Sequence, residues 1–274
     1  MNRTRLLREL FDEFFRAQNR SLKLYDDIVQ FISTRRVVSK TQGDGTTVID
    51  VTKYKKVVQL LRKGYPPEYI TSKAYFYGYS FWVKPGVYIP NPFTEKLVDY
   101  VLTEARRVLA QGQPVTILDI GTGSGAVALS VVKELGEGGL RRVEVIATDK
   151  SAQAIEVARY NARRLGVAGS VAFYVADVAF IEGNAILPRY QNVIIASNKP
   201  YLPKDVFTRL PRHVKLQGKL ALLRSRDFDS KFKAYVNLLR TQGYRVTTVV
   251  ETFRNRKPVS AKVVVRRYNV DYEA

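Results

Sequence analysis

From residue 92 onward, the sequence alternates between segments with helical spacing of apolar residues and short, continuous apolar runs. The runs have the length and composition of strands buried on both faces, and the segments between them can serve as crossover helices. This alternation predicts an α/β domain with a mostly parallel, Rossmann-like sheet. The predicted helices are 94–109, 124–135 and 152–165, and the predicted strands are 115–120, 143–148, 171–176 and 193–197.

The last part of the chain continues this pattern less regularly. We predict a short helix at 205–210, a strand at 218–223, a helix at 229–240 and a final pair of strands at 244–251 and 261–268. Because no helix separates the final two strands, they are expected to pair in opposite directions. The sheet should therefore end in an antiparallel edge strand.

The residues before 74 predict a mainly helical domain. Apolar residues at helical spacing predict two helices within 4–18 and 22–32, and a third at 53–63. Gly43-Asp44-Gly45 lies between β-prone residues and predicts a hairpin that joins 37–38 to 46–51.

Aromatic residues dominate the stretch between the two regions. Residues 75–83 and 87–89 flank Pro85-Gly86 and predict strands. Such rings can stack on nucleic-acid bases, but at strand spacing they favour a packed sheet face. The predicted division of the chain is a helical domain at 1–73, a β-hairpin linker at 74–91 and the α/β domain at 92–274.

Composition excludes several classes of function. The chain has no cysteine, which excludes disulfides, thiolate catalysis and thiolate zinc sites, and its single histidine, His213, disfavours histidine triads and metal sites. We therefore expect no bound metal. Apolar runs are too short for a membrane span and no secretory signal is present, so we expect a soluble, cytoplasmic protein with no membrane partner.

The charge is unevenly distributed. The chain carries 45 Lys and Arg against 25 Asp and Glu, a formal charge of +20. The basic excess is 7 in residues 1–73 (15 against 8), 2 in 74–200 (13 against 11) and 11 in 201–274 (17 against 6). This asymmetry indicates either a polyanionic partner such as RNA or a solvated surface, and both interpretations stay open.

A glycine-rich motif, Asp119-Ile120-Gly121-Thr122-Gly123-Ser124-Gly125, lies between a predicted strand and a predicted helix. Glycines allow close backbone approach, and free N–H groups at a helix start favour an electron-rich ligand. The spacing also satisfies the dinucleotide fingerprint. Asp119 favours S-adenosylmethionine, because its carboxylate could hold the ammonium of a methionine group but would repel a pyrophosphate.

Two further aspartates end neighbouring strands. Asp149 could accept from ribose hydroxyls, and Asp177 from an adenine amino group, although Asp at a strand end is also a common turn former. Together with Asp119 they fall at the carboxyl edge of successive strands, where open α/β sheets bind ligands.

The fourth strand is followed by Asn198-Lys199-Pro200-Tyr201. Asn198 Oδ1 and the Lys199 carbonyl could accept both N–H bonds of a planar amide or of an aniline-like amine, while the Tyr201 ring packs on its plane. No strong base is needed, because the nitrogen becomes acidic only as it gains a methyl group. This motif predicts methyl transfer to nitrogen.

These motifs resemble the class I S-adenosylmethionine-dependent methyltransferases, and among them the HemK/PrmC family, which methylates glutamine side-chain amides of translation proteins. The resemblance spans about residues 69–201, and it implies that the helical domain at 1–73 helps to recognise the protein substrate. Residues 76–90 are similar to the family's interdomain hairpin, and Asn91-Pro92-Phe93-Thr94-Glu95 stands where the family usually has Arg-Pro-Glu-Thr-Glu. The resemblance implies that S-adenosylmethionine contacts Asp119, Gly121, Thr122, Gly123, Gly125, Asp149, Lys150, Asp177, Val178 and Asn198, and that the target amide contacts Asn198, Lys199, Pro200 and Tyr201.

Three departures from the family bear on the acceptor. Lys199 fills the second place of the family's Asn-Pro-Pro-Tyr, and Asn91 and Phe93 replace an arginine and a glutamate. Only about 16 residues separate Tyr201 from Gly218, where the family has a longer segment.

The leading hypothesis is a methyltransferase acting on a glutamine of a translation protein, either a release factor or a ribosomal protein, with possible contact to RNA or the ribosome through the basic N- and C-terminal regions. The alternative is methylation of an exocyclic adenine amine in ribosomal or transfer RNA. A third possibility, a binding protein without activity, is disfavoured by the intact Asp119, Asp149 and Asn198.

Overall fold

The computed structural model describes residues 3–15, 22–37, 45–200, 202–223, 225, 227–253 and 261–268. The chain divides into two compact units. The first comprises Met1–Ala74 with Pro211–Val214, and the second comprises Tyr75–Leu210 with Lys215–Ala274. No helix within the described ranges is long and apolar enough to cross a membrane.

The first unit is built around amphipathic helices, as predicted. Their apolar faces meet in one core that includes Leu10, Phe14, Ile28 and Tyr54. The elements are α1 (Arg3–Phe15), α2 (Leu22–Ile32), β1 (Ser33–Val37), β2 (Gly45–Ile49), α3 (Val51–Arg62) and α4 (Pro67–Thr71), with β1 and β2 antiparallel.

The second strand of this hairpin is shorter than predicted. Asp50, placed by the prediction in the strand 46–51, instead caps α3: its Oδ1 accepts from the Thr52 and Lys53 N–H groups at 2.9 and 3.0 Å. Capping of the free helix N–H groups ends the strand at Ile49. The predicted turn residues Gly43 and Asp44, and Val38, lie outside the described residues.

The second unit contains a six-stranded sheet in the order β12-β11-β10-β5-β6-β7, in which only β12 is antiparallel. This confirms the predicted α/β fold with its antiparallel edge. The strands of this sheet are β5 (Val115–Ile120), β6 (Val143–Asp149), β7 (Ala172–Val175), β10 (Asn192–Ser197), β11 (Arg245–Phe253) and β12 (Ala261–Tyr268). Two separate hairpins pair β3 (Lys73–Phe76) with β4 (Tyr79–Trp82) and β8 (Phe180–Ile181) with β9 (Asn184–Ala185), and the first two residues of β3 belong to the first unit.

Helices cover both faces of the sheet, which explains why β5 and β10 are buried along their whole length. Phe76 and Phe81 of the β3–β4 hairpin are also buried in the core, which confirms that the aromatic stretch packs against a sheet. The helices of this unit are α5 (Glu95–Ala110), α6 (Ala126–Leu140), α7 (Ala152–Arg164), α8 (Lys204–Arg209), α10 (Lys219–Leu222) and α11 (Phe228–Thr241), and a 3₁₀ turn, Pro92–Thr94, precedes α5. The short helix α9 (Arg212–Lys215) lies mostly within Pro211–Val214, which belongs to the first unit.

Three strand predictions were wrong. The segment 75–83, predicted as one strand, turns at Tyr77-Gly78 and forms parts of both β3 and β4. The segment 218–223 forms helix α10, and only Leu223 makes an isolated bridge, to Leu202. β10, the strand that leads into this part of the chain, already has β5 and β11 on its two edges and cannot pair with this segment. Residues 87–89 form no strand because backbone groups there bond elsewhere: Ile89 N donates to Gln217 Oε1 at 3.2 Å.

Candidate functional site

The carboxyl ends of the parallel strands open into one cavity of the second unit. Its lining contains every predicted site residue within the described ranges except Gly125, and Tyr201 lies outside those ranges. Another part of the lining, called here the second wall, comes from two segments, which contribute Gly86, Val87, Tyr88, Pro90, Asn91 and Thr94, and Lys219, Leu220, Ala221, Leu223, Ser225 and Phe228. The predicted site residues in the lining are Asp119, Gly121, Thr122, Gly123, Asp149, Lys150, Asp177, Val178, Asn198, Lys199 and Pro200.

The glycine loop leaves space for a ligand at two positions. Gly121 and Gly123 have φ of 80° and 58°, and no described atom lies within 4 Å of where a Cβ would stand. Gly125 differs, because a Cβ there would lie 2.8 Å from Leu129 Cδ1 and 3.1 Å from Ala158 Cβ. Gly125 therefore lets α6 pack closely, while Gly121 and Gly123 form an open cradle.

Asp119 is a buried carboxyl, 2% exposed, near the end of β5. Its Oδ2 accepts from Thr122 Oγ1 at 2.7 Å and from the Ala128 N–H at 3.2 Å. Burial raises the pKa of Asp119 to about 6, and the nearby Asp149 adds to the rise. A bound ammonium group would favour the ionised form of Asp119. This fits the expected contact between Asp119 and the methionine end of S-adenosylmethionine.

Asp149 organises the loop. Its Oδ2 accepts from the Gly123 N–H at 2.9 Å and its Oδ1 from the Ser151 N–H at 2.8 Å. Burial raises its pKa, and these two backbone hydrogen bonds limit the rise. Each carboxylate oxygen has a second lone pair, so both can still accept from ribose hydroxyls.

Asp177 lies beside two cations. Burial disfavours its charge, but hydrogen bonds from Lys231 and Lys150 hold its pKa below the usual value. Val178 follows with φ of 64°, a strained conformation for a β-branched residue, in a turn closed by hydrogen bonds between Asp177 and Phe180. The turn places Asp177 and Val178 at the cavity, where adenine is expected.

Asn198 is half-buried just beyond β10. Its Nδ2 donates to Thr94 Oγ1 at 2.9 Å. Within the described part of the chain, Asn198 Oδ1 makes no hydrogen bond. Sequence reasoning missed the contact between Asn198 and Thr94, which lie 104 positions apart.

The ammonium group of Lys199 lies beside the first residues of α11. Its Nζ donates to Asp229 Oδ1 and lies 5.9 Å from the centroid of the Phe228 ring. The ion pair anchors the residue that stands in the family's proline position.

A backbone clasp joins Gly86, which lines the cavity, to the residues just before α10. Gly86 N donates to the Leu216 carbonyl at 2.6 Å. Gly218, with φ of 95°, fits so closely that a Cβ would lie 2.5 Å from the Gly86 carbonyl oxygen. The glycine here is required both by conformation and by space.

We expect Gly218→Ala to lower the free energy of unfolding by about 1–3 kcal/mol more than Gly183→Ala does. Both positions have positive φ, but no described atom lies within 4 Å of a Cβ at Gly183, so the difference isolates the clasp contact. Thermal unfolding of both variants measures it. Equal losses would show that the clasp tolerates a methyl group.

Comparison with known proteins supports a methyltransferase. A family model described as a methyltransferase domain matches residues 111–256, more than half of the chain. Release factor glutamine methyltransferase of Bacillus subtilis (strain 168) is 32% identical over 67% of this chain and 60% of its own length. The proteins of that name from Koribacter versatilis (strain Ellin345) and Dictyoglomus turgidum (strain DSM 6724 / Z-1310) are 36% and 31% identical, over 62% and 76% of this chain and 55% and 70% of theirs.

The chain spans less than two thirds of the length of the Bacillus and Koribacter relatives. The residues at the cavity fit S-adenosylmethionine, the cofactor of this family: an open glycine cradle, a buried carboxyl for the ammonium and carboxylates with free lone pairs for the nucleoside. Fold, site and relatives therefore agree, and the chain belongs to the class I S-adenosylmethionine-dependent methyltransferases of the HemK/PrmC type.

Proposed function

We propose that this chain methylates a glutamine side-chain amide of a peptide chain release factor. One observation carries the proposal: Asn198 Nδ2 is held by Thr94, which leaves Asn198 Oδ1 as an acceptor at the cavity that contains the three aspartates. The similarity to release factor glutamine methyltransferases supports this acceptor.

The chain's own residues position the acceptor. Asn198 Oδ1 and the Lys199 carbonyl accept the two N–H bonds of the planar amide, which fixes its plane and directs the nitrogen lone pair away from both acceptors. S-adenosylmethionine, when bound, supplies an electrophilic methyl group. The nitrogen becomes acidic only as it gains that group, so Asn198 Oδ1 can hold the departing proton until water takes it.

An exocyclic adenine amine of RNA offers the same two N–H bonds, but the relatives do not favour RNA as the acceptor. Contact with RNA or the ribosome through the basic regions 1–73 and 201–274 stays a prediction, as does the cytoplasmic location. The second of these regions includes Arg254, Arg256 and Lys257, at which charge reversal is expected to weaken RNA binding, and all three lie outside the described residues.

The test supplies purified protein with methyl-labelled S-adenosylmethionine and, in parallel, a purified release factor or ribosomal RNA. We expect label in the release factor alone, located on a glutamine by peptide mass spectrometry. Label confined to RNA would overturn the proposal, and calorimetric titration with S-adenosylmethionine separately establishes that the cofactor binds.

The Lys199–Asp229 ion pair gives a further prediction about this reaction. Asp229→Asn should lower release factor methylation several-fold, because it releases the side chain that anchors the Lys199 backbone. In a Lys199→Pro background the ring restricts the backbone itself, so Asp229→Asn should then have little effect. Steady-state rates of the four proteins measure this coupling, and an equal loss in both backgrounds would refute it.

A further inference from the structure

Lys231 has no role in the proposed reaction, but it binds a residue of the site. It is the fourth residue of α11 and does not itself line the cavity. Its Nζ donates to Asp177 Oδ2 at 2.5 Å. Asp227 holds Lys231 in turn, because its Oδ2 lies 3.3 Å from Lys231 Nζ while its Oδ1 accepts from Ser225 Oγ at 3.1 Å. The ammonium group of Lys231 is therefore held between two carboxylates, of which Asp177 lines the cavity.

The two lysines beside Asp177 bind the same oxygen. Lys150 Nζ also donates to Asp177 Oδ2, at 3.1 Å. Asp177 Oδ1 accepts no hydrogen bond from any residue that the structure describes. A carboxylate oxygen can accept at two lone pairs, so Oδ1 keeps its full capacity. The carboxylate thus has one oxygen occupied by cations and one available to a ligand in the cavity.

This arrangement distinguishes between purine bases. Adenine carries an amino group at C6, which donates hydrogen bonds, whereas hypoxanthine carries an oxygen there, which accepts them. An ionised carboxylate can only accept, and the two lysines favour the ionised form by holding the pKa of Asp177 below its usual value. Asp177 Oδ1 would therefore attract the amino group of adenine and repel the oxygen of hypoxanthine.

Such discrimination requires that the carboxylate keep its orientation. An unrestrained aspartate rotates easily about its terminal bond, which exchanges the two oxygens. Two ammonium groups on Oδ2, one from the end of β6 and one from α11, oppose this exchange. The side chains of Asp177 and Lys231 are 33% and 40% exposed, and ion pairs so accessible to water contribute little to folding stability.

We propose that Lys231 is a positioning residue that selects the base of the cofactor: it holds Asp177 Oδ2 so that Oδ1 meets the amino group of adenine. The inference rests on the expected position of adenine at Asp177. It goes beyond the proposed function, because it concerns the methyl donor and does not depend on the methyl acceptor.

The test compares two ligands that differ only in the base, S-adenosylhomocysteine and S-inosylhomocysteine, by calorimetric titration. The wild type should bind the first about 10- to 100-fold more tightly, the range for a hydrogen bond to a charged group. Lys231→Met removes the ammonium group, keeps an unbranched side chain that suits a helix, and should lower this ratio about fivefold or more.

Lys84→Met is the matched control. Lys84 also forms a partly exposed ion pair, with Glu156 at 2.9 Å, and does not line the cavity. Its replacement should leave the ratio of affinities unchanged. The melting temperature of Lys231→Met should stay close to that of the wild type. A purely structural role of Lys231 would instead lower the melting temperature and weaken both ligands alike.

A double variant defines the path. Asp177→Ala should abolish most of the preference for adenine, and adding Lys231→Met should change the ratio no further, because the lysine acts through Asp177. An equal effect of Lys231→Met with and without Asp177 would show a different path and overturn the inference.

Two results with Lys231→Met alone would also overturn it. An unchanged ratio would show that Asp177 needs no help to keep its orientation. A higher ratio would show that Lys231 only weakens the charge of Asp177. A wild type that binds both ligands equally would refute the position of adenine and the inference with it. Release factor methylation does not enter these measurements, so a failure of the proposed function would leave their outcome intact.

Discussion

Asn198→Ala is expected to lower release factor methylation about 100- to 1000-fold, the range found when a preorganised hydrogen-bonding group is removed from an active site. The variant loses Asn198 Oδ1, one of the two acceptors that fix the plane of the substrate amide. S-adenosylmethionine affinity should change by no more than a few-fold, because Asp119, Asp149 and the glycine loop remain. Single-turnover rates with saturating cofactor measure the loss.

Asn192→Ala is the matched control for this variant. Asn192 lies at the other end of the same strand, where its Nδ2 bonds Gln113 Oε1 and the Pro114 carbonyl and its Oδ1 accepts from Arg245. The loss of the Asn192 side chain should lower the free energy of unfolding but leave the methylation rate close to that of the wild type. If Asn198→Ala retains more than about a tenth of the wild-type rate, below the effect expected for such a group, the acceptor role is wrong.

The second large effect concerns Asp119 and pH. Asp119→Asn should weaken S-adenosylmethionine binding about 10- to 100-fold at pH 8, because a charged hydrogen bond to the ammonium is replaced by an opposing amide donor. The carbonyl oxygen of the introduced amide can still accept from Thr122 and Ala128, so the loop should remain folded. Calorimetric titration of both proteins measures the difference.

The wild-type affinity should also fall as the pH drops below about 6, by up to tenfold per pH unit, because protonation of Asp119 removes the charge that the ammonium needs. The Asp119→Asn variant should lack this dependence. Asp177→Asn should keep it, because the lysines beside Asp177 hold its pKa below the usual value. A pH-independent wild-type affinity between pH 5 and 7 would contradict the assignment.

Ligand-free stability should respond in the opposite direction. The pKa of Asp119 in the folded protein lies above its unfolded value, so the native state binds the proton more tightly. The contribution of Asp119 to the free energy of unfolding is therefore present at low pH and is lost as the pH rises through about 6. Acidification should thus stabilise the wild type relative to Asp119→Asn while it weakens cofactor binding.

The sequence predicted much of this site because the fold brings strand ends together. Four site residues stand at or just past the end of a predicted strand: Asp119, Asp149, Asp177 and Asn198. The carboxyl ends of parallel strands lie at the same edge of a sheet, so these residues are expected to lie near one another. Their convergence follows from topology alone, without knowledge of side-chain contacts.

Contacts between distant parts of the chain could not be predicted in this way. Asp229 reaches Lys199 only because α11 packs beside the end of β10, and nothing in the local sequence of either residue encodes that pairing. The segment 218–223 shows the same limit. Its apolar residues suit a strand, but the availability of a sheet edge decided its structure, and both edges of β10 were taken.

The contact between Gly86 and Gly218 has an evolutionary consequence. Gly86 and Gly218 lie 132 positions apart, but the backbones of their two loops pack directly against each other and are joined by a hydrogen bond. A change of length or the loss of the glycine in one loop therefore requires an adjustment in the other. Acceptor specificity in this chain should therefore change through paired replacements, and grafting the wall of the site from another enzyme should succeed only when both loops are transferred together.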